Sequence, residues 1–325
     1  MSKNFFDFFP PPKFLEMPSV GFSISDTSLR FIELRDHEGT FVLGDYAQRV
    51  IPPQAIDAGY INKPEQVVEM LKELKKQYGL KFVKATLPEE KAFVFRTQIP
   101  TTVPEEMRSA VEFTIEENVP MSVADVEFDF TVMPFSDEKS GHTDVSVCVV
   151  PKKVIAAYMS LFTEVDLTVT AFELESQAIA RSVIERGDNS SYLILNLEKN
   201  KTGFYIATAG AVHFTSTMSI TADALPELSE EISKIYWHAH GEKKERGGTK
   251  ISKIILCGEG AIKDGVKEYI FNKLGIQVEV ADVWKNVFVL DKYVPDISLK
   301  DSLGFAAAVG LALPSAFVDL KDKKI

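Results

Sequence analysis

At 325 residues the chain exceeds what one ordinary hydrophobic core organises, so two lobes are expected. Its 45% hydrophobic and 26% charged residues are globular proportions that exclude disorder and a repeated membrane spanner. A formal net charge of -11 argues against a general nucleic-acid binder, whose phosphate contacts need a concentrated basic face, so no nucleic-acid partner is expected.

Residues 1–18, MSKNFFDFFPPPKFLEMP, are an aromatic, proline-rich arm in which three prolines, Asp7 and Glu16 interrupt any signal-peptide core. Phe5, Phe6, Phe8 and Phe9 suit a lipid surface, a partner groove or the body of the chain itself. No other stretch has the roughly 18 uninterrupted apolar residues of a membrane span. The two cysteines, Cys148 and Cys257, lie in apolar, strand-like runs and read as buried free thiols in a reducing compartment.

From Val20 the pattern predicts a strand to Ile24, a turn over Ser25, Asp26, Thr27 and Ser28, a returning strand to Leu34, and a third strand from Phe41 to Val50. Asn62 with Glu65 predicts a capped helix whose stripe is Val67, Leu71, Leu74 and Tyr78. Lys84 to Leu87 is a further short strand. Between about 89 and 166 the order changes to strand, helix, strand, strand, helix, read as an inserted small α+β subdomain. Its first helix, with Thr102 and Glu105 as cap, carries Met107, Val111 and Ile115 at fourfold spacing and stops before Pro120. A strand from Thr168 and a helix from Glu173 to Arg186 close a first lobe over 19–187, and the polar run Gly187 to Ser191 marks the boundary.

The second lobe, 188–313, opens as the first did, with a strand, the turn Glu198 to Lys201, and a strand. Laying Ser23 on Asn196 sets Ser25 on Glu198 and Phe31 on Phe204, which suggests an internal duplication. A helix with Leu225, Leu228, Ile232 and Ile235 on one face, the strand Ile251 to Leu256, a helix bearing Val266 and Ile270, a strand over 276–280 and a small-residue helix over 302–313 follow. A charged tail, 314–325, ends the sequence.

The chemical signals are few. Gly258-Glu259-Gly260 between a strand and a helix is a place where backbone can approach a phosphate, although such a turn more often uses glycine for its own geometry. The first hairpin turn offers Ser23, Ser25, Asp26 and Thr27, whose hydroxyls either meet phosphate or satisfy their own backbone. The second offers Asn196, Glu198, Lys199 and Lys201, where the glutamate would face any incoming phosphate with a carboxylate. Neither a phosphate-binding P-loop nor a full dinucleotide fingerprint is present. His238 and His240 lack the companions of a metal site, and no serine elbow supports a hydrolase. No catalytic residue and no metal ligand is assigned. Glu112, Glu116 and Glu117 along one helix read as a solvated face, or one that meets a basic partner.

The segments VGFSISDTSLRFIEL, EFTIEENVPMSVADVEFDF, LTVTAFELESQAIARSV, ILCGEGAIKDGVKEYIFNKLGIQVEVADVW and LGFAAAVGLAL occur in the order of, and together resemble, the PilM family of type IV pilus assembly proteins, relatives of the cell-division protein FtsA. The resemblance implies an α/β fold: a duplicated actin-like (ribonuclease H-like) two-lobe architecture with an inserted small subdomain of the FtsA/PilM type. It also implies a cytoplasmic scaffold at the inner face of the membrane. There it would hold the tail of a PilN-like bitopic membrane protein in a groove between first lobe and insertion, with other pilus-assembly components and self-association as further expectations. Met107, Val111, Ile115, Phe128 and Phe130 are expected to line that groove. Where the family carries an Asp-Ile-Gly phosphate strand this chain has Ser23-Ile24-Ser25, and Asn196 and Glu198 stand at the second Asp and Gly positions, leaving Gly258 and Gly260. A degenerate nucleotide site of Ser23, Ser25, Asp26, Thr27, Asn196, Gly258 and Gly260 is therefore expected, with ATP and magnesium not required and hydrolysis not expected. The alternatives are an active actin-like ATPase or phosphotransferase, and an FtsA-like filament former.

Overall fold

Alternating apolar side chains and short polar turns start both halves of the chain in the same way. In the computed structural model, which describes residues 19–37, 40–133, 141–241, 250–288 and 293–313, the first half begins with Ser19–Ile24 (β1), Ser28–His37 (β2) and Thr40–Val50 (β3), an antiparallel meander. A two-stranded hairpin, Ile56–Asp57 (β4) and Tyr60–Ile61 (β5), leads to Pro64–Tyr78 (α1). Phe82–Leu87 (β6) then pairs parallel with β1. After the insertion, Thr168–Leu174 (β10) pairs parallel with β6, and Glu175–Val183 (α4) closes the lobe.

The second half repeats this with Ser191–Leu197 (β11), Thr202–Thr208 (β12), Ala211–Met218 (β13), Leu225–Gly241 (α5), Ile251–Cys257 (β14), Val266–Leu274 (α6), Val278–Val280 (β15), and the helices Leu299–Ser302 (α7) and Ala306–Ala312 (α8). The strand orders β10-β6-β1-β2-β3 and β15-β14-β11-β12-β13 are the same arrangement twice. The register agrees residue by residue. Ser23 faces Arg30 as Asn196 faces Gly203, Phe22 faces Phe31 as Leu195 faces Phe204, and Phe22 meets Ala85 as Leu195 meets Leu256. The superposition of Ser23 on Asn196 read from the sequence is the one the ladders adopt.

Between β6 and β10 lie Phe93–Pro100 (β7), Pro104–Asn118 (α2), Val126–Val132 (β8), His142–Pro151 (β9) and Lys152–Glu164 (α3). The three strands form a sheet of order β7-β9-β8 with its own small core, Ile99, Val111, Ile115, Val145, Val147 and Val149, sealed by α2. The expected insertion over about 89–166 is divided in its packing. Val154, Tyr158, Leu161 and Phe162 of α3 are buried in the first-lobe core with Phe22 and Leu71, Phe162 meeting Phe22 edge-on at 5.8 Å. Helix α3 is thus the crossover between β6 and β10, and the subdomain ends with β9.

Neither expected side-chain cap forms. Lys63 and Val103 occupy the N-cap positions of α1 and α2 without a side-chain hydrogen bond, because Pro64 and Pro104 already set the first helical φ and have no N–H to satisfy. The helix expected directly after Gly260 is a 3-10 turn over Glu259–Ile262, and α6 starts only after Gly265 at φ 80°. The closing helix of small residues begins at Ala306. Its glycine sits so close to α4 that a Cβ at Gly310 would lie 1.7 Å from the Ala178 carbonyl oxygen, and one at Gly21 would lie 1.9 Å from that of Ala308. Small side chains let α8 wedge between β1 and α4, and the second-lobe core runs through both helices to Ile32 and Leu34 of the first lobe.

Candidate functional sites: a closed cleft and an open groove

The two equivalent hairpin turns, β1–β2 and β11–β12, meet in the cleft between lobes. In the first, the backbone is satisfied internally. Ser25 N–H donates to Ser28 O at 2.9 Å, the Ser25 and Ser28 hydroxyls are 3.2 Å apart, and Thr27 N–H reaches Ser25 Oγ at 3.4 Å. Ser23 is buried on the ladder, and the neighbouring Ile24 N–H donates to Thr86 Oγ1 at 3.0 Å. Asp26 is occupied on both oxygens: Oδ1 accepts from Gly59 N–H of the β4–β5 hairpin at 3.1 Å, and Oδ2 lies 3.5 Å from Lys201 Nζ.

In the second turn, Glu198 N–H donates to Lys201 O at 3.0 Å and Asn196 Nδ2 donates to Glu198 Oε1 at 3.2 Å. Lys201 then sends its ammonium across the cleft to Glu90 Oε1 at 2.5 Å as well as to Asp26. A second crossing ion pair joins Arg30 to Glu259, which also accepts from Gln48 Nε2 at 3.1 Å. Gly258 has φ 82°, and a Cβ there would meet Leu197 O at 2.5 Å; one at Gly260 would lie 3.1 Å from the side chains of Leu197 and Ala222. Both glycines therefore let the turn after β14 lie against β11, which accounts for them without a ligand.

Of the seven expected nucleotide residues, Thr27, Asn196 and Gly258 line a shared cavity with Arg30, Glu175 and Glu198, and its volume is about 10 Å³. That holds roughly one water, whereas small-molecule pockets run to about 300–1,000 Å³. These residues do not fit a magnesium–nucleotide: both Asp26 oxygens are taken up, by Gly59 N–H and Lys201, and Glu198 adds a second carboxylate to the cavity wall. Among the described residues no group of three or more His, Cys, Asp or Glu is disposed to hold a metal.

The cleft floor is acidic and buried. Burial pushes the Glu175 carboxyl well above the usual range, and repulsion from Glu198 pushes it further. Glu198 is itself raised by burial, against the pull of Lys201 and Arg30. Glu89 is pushed up to about 7 by burial, opposed by the Ser176 N–H at 3.0 Å and the Ser176 hydroxyl at 2.9 Å. Burial acts to lower the Lys201 pKa, but Glu198, Glu90, Glu175 and Asp26 outweigh it and hold the ammonium charged. Sequence reasoning named Asp26, Glu198 and Lys201 but not their pairing, and missed Glu89, Glu90 and Glu175, which lie in separate segments that only the closed lobes bring together.

An open groove of about 770 Å³ lies on the other side of the first lobe. Two sheet edges border it. Residues 127–132 of β8 line it consecutively, as do residues 171–174 of β10, and each strand is the terminal one of its sheet. Consecutive lining residues mean that main chain, not only side chains, faces the space. Phe130 N–H donates to the Asp129 carboxylate at 2.9 Å. Cys148, Val150 and Ile155 add apolar surface, and the β12–β13 turn of the second lobe closes one end. Phe128 and Phe130 line the groove as named from sequence, whereas Met107, Val111 and Ile115 do not. Val111 and Ile115 are fully buried, with Met107 packed against them, between α2 and the inserted sheet.

A duplicated lobe of strand order 3-2-1-4-5, with a three-stranded subdomain inserted in its first copy, defines an actin-like protein of the FtsA/PilM type. The chain belongs to the type IV pilus assembly protein PilM family, whose model matches residues 21–236, about two thirds of its length. Among solved structures it is similar to a PilM–PilN type IV pilus biogenesis complex, with a TM-score of 0.75 and 18% identity over 90% of this chain and 97% of the other. It is also similar to the ethanolamine utilization protein EutJ from Carboxydothermus hydrogenoformans, with a TM-score of 0.51 and 13% identity over 94% of this chain and 90% of that one. No curated protein sequence matches it significantly.

Proposed function

We propose that this PilM-family protein is a nucleotide-independent scaffold that holds the extended cytoplasmic tail of a PilN-like membrane protein in the groove between β8 and β10. The observation that carries this reading is the pair of unpaired sheet edges facing one space. An extended segment gains main-chain hydrogen bonds from such an edge and side-chain pockets from the walls, and needs no catalytic group. The similarity to a PilM–PilN complex supports the partner class. No helix among the described residues is long and apolar enough to cross a membrane, so attachment to its inner face would come through the tail.

The cleft supports the negative half of the reading. Ion pairs from Lys201 and Arg30 close it from within, and the remaining cavity admits about one water. The test is to place arginine at groove positions off the core, Thr131→Arg and Ala211→Arg, and titrate each variant with a synthetic N-terminal peptide of the PilN-like protein. Loss of at least tenfold in affinity with the fold intact supports the groove as the site. Unchanged affinity in both overturns it.

A further inference from the structure

We propose that the groove selects its occupant by charge: β8 receives an extended segment whose alternate residues, set beside Glu127 and Asp129, are basic, with apolar residues between them set beside Phe128 and Phe130. This rests on the groove being the site of an extended tail, and names the chemistry of that tail.

Strand β8 has two chemically distinct faces. In its ladder with β9, Glu127 lies opposite Val150 and Asp129 opposite Cys148, and directly opposed residues share a face of the sheet. All four line the groove. Phe128 and Phe130 take the other face and pack against the core under α2, where the Arg108 guanidinium lies 4.3 Å from the centre of the Phe128 ring. A strand that pairs with the free edge of β8 sets its own side chains beside these two rows with the same period of two, whichever direction it runs. Its residues at i and i+2 stand about 7 Å apart, which is the spacing of Glu127 and Asp129 along their own strand.

The two carboxylates have little within the chain to answer them. Glu127 pairs with Lys152 at 3.7 Å, but both side chains are half exposed, a geometry that contributes little, and Lys152 also donates to Ala124 O at 2.8 Å. Asp129 accepts the Phe130 N–H and, among the described residues, forms no ion pair. The remaining charged residues of the lining are Glu173 and Arg181, which pair with each other, and Arg186 on the segment after α4. The open charge of the groove is therefore negative and lies on β8.

That charge decides between occupants. A second copy of this chain would bring a net charge of -11 against it. The cytoplasmic flanks of membrane spans, by contrast, carry an excess of Lys and Arg, so the tail of a bitopic membrane protein is the partner class that supplies the complement. Opposite charges on adjacent strands change affinity a few fold per pair, so two pairs together amount to about tenfold. An acidic segment meets like charge at the same positions and is rejected.

The test is calorimetric titration, at low and high salt, of the full chain and its E127Q/D129N variant. Each is titrated with the N-terminal tail peptide of the PilN-like protein and with the same peptide after its Lys and Arg are replaced by Gln. The unaltered chain should bind the basic peptide about tenfold more tightly than the Gln peptide at low salt, with a smaller advantage at high salt. The variant should bind the two alike, and an E127K/D129K chain should prefer a peptide carrying Glu at those positions. A tail with no Lys or Arg contradicts the proposal at once. Equal binding of both peptides by the unaltered chain overturns it, as does an equal advantage of the basic peptide in chain and variant, because the basic residues would then act elsewhere. Should either occur while Thr131→Arg still abolishes binding, the groove remains the tail site and only its charge selection falls. If neither peptide binds the unaltered chain, or both bind Thr131→Arg and Ala211→Arg as they bind the parent, the groove reading falls and takes the proposal with it.

Discussion

Lys201 Nζ lies 3.5 Å from Asp26 Oδ2 and 2.5 Å from Glu90 Oε1, so one ammonium on the second lobe's hairpin ties down two carboxylates of the first. Lys201 is only 9% exposed, and Glu198 beside it equally so. A cation of the polypeptide itself thus sits among the carboxylates of the cleft.

Removing that cation should be costly. Lys201→Met would leave Asp26, Glu90, Glu175 and Glu198 buried together without their counter-charge, and breaking a buried pair from one side typically costs about 3–5 kcal/mol. Urea unfolding at neutral pH should show a loss of that order, shrinking as the pH falls and Glu175 and Glu198, both raised by burial, protonate. A loss below about 1 kcal/mol would mean that Lys201 does not hold the cleft.

Glu89 gives the chain a pH dependence of definite sign. Its carboxyl is pushed up to about 7 in the folded protein by burial, against an ordinary value near 4.5. Between those values the folded state binds more protons than the unfolded one. The contribution of Glu89 to stability is therefore fully present below about pH 4.5 and is lost as pH rises through 7. Glu89→Gln should flatten stability across that window and leave the variant more stable than the parent at pH 8, by up to roughly 3 kcal/mol for a shift of this size. A variant whose pH profile parallels the parent's contradicts the assignment.

The wedge of α8 predicts intolerance to a single methyl group. A Cβ at Gly310 would overlap the Ala178 backbone, which cannot rotate away as a side chain can. Gly310→Ala should lower stability by about 2 kcal/mol or more through overpacking, measured by thermal or urea unfolding. A neutral result would show that α4 and α8 are free to separate.

In the groove, Thr131→Arg and Ala211→Arg should change stability by no more than about 0.5 kcal/mol, because neither residue is in the buried core. Tail affinity should fall at least tenfold in calorimetry. Loss of stability equal to the loss of affinity would point to misfolding rather than a blocked groove.

The fold was legible in the sequence where local pattern determines it. The hairpins around Ser23 and Asn196 carry the same alternation and turn length, and a strand's period of two leaves one register that buries Phe31 and Phe204 alike. The stripe of Met107, Val111 and Ile115 was equally legible as a buried face. A helical period shows that a face is covered, not what covers it, and α2 turned out to cover its own sheet. The clamp was not legible. Lys201, Asp26 and Glu90 are far apart in sequence, and a lysine in a polar turn looks like any solvated lysine until the lobes close. The groove was only partly legible: Phe128 and Phe130 were named, but whether β8 and β10 end as sheet edges depends on strand order, which no local pattern encodes.

The most direct measurement is calorimetric titration of the purified chain with ATP and magnesium, beside titration with the N-terminal tail peptide of the PilN-like protein. A closed cleft and an open groove predict heat of binding for the peptide and none for the nucleotide. Tight ATP binding with turnover would contradict the account, because the Lys201 and Arg30 ion pairs would then have to open to admit it.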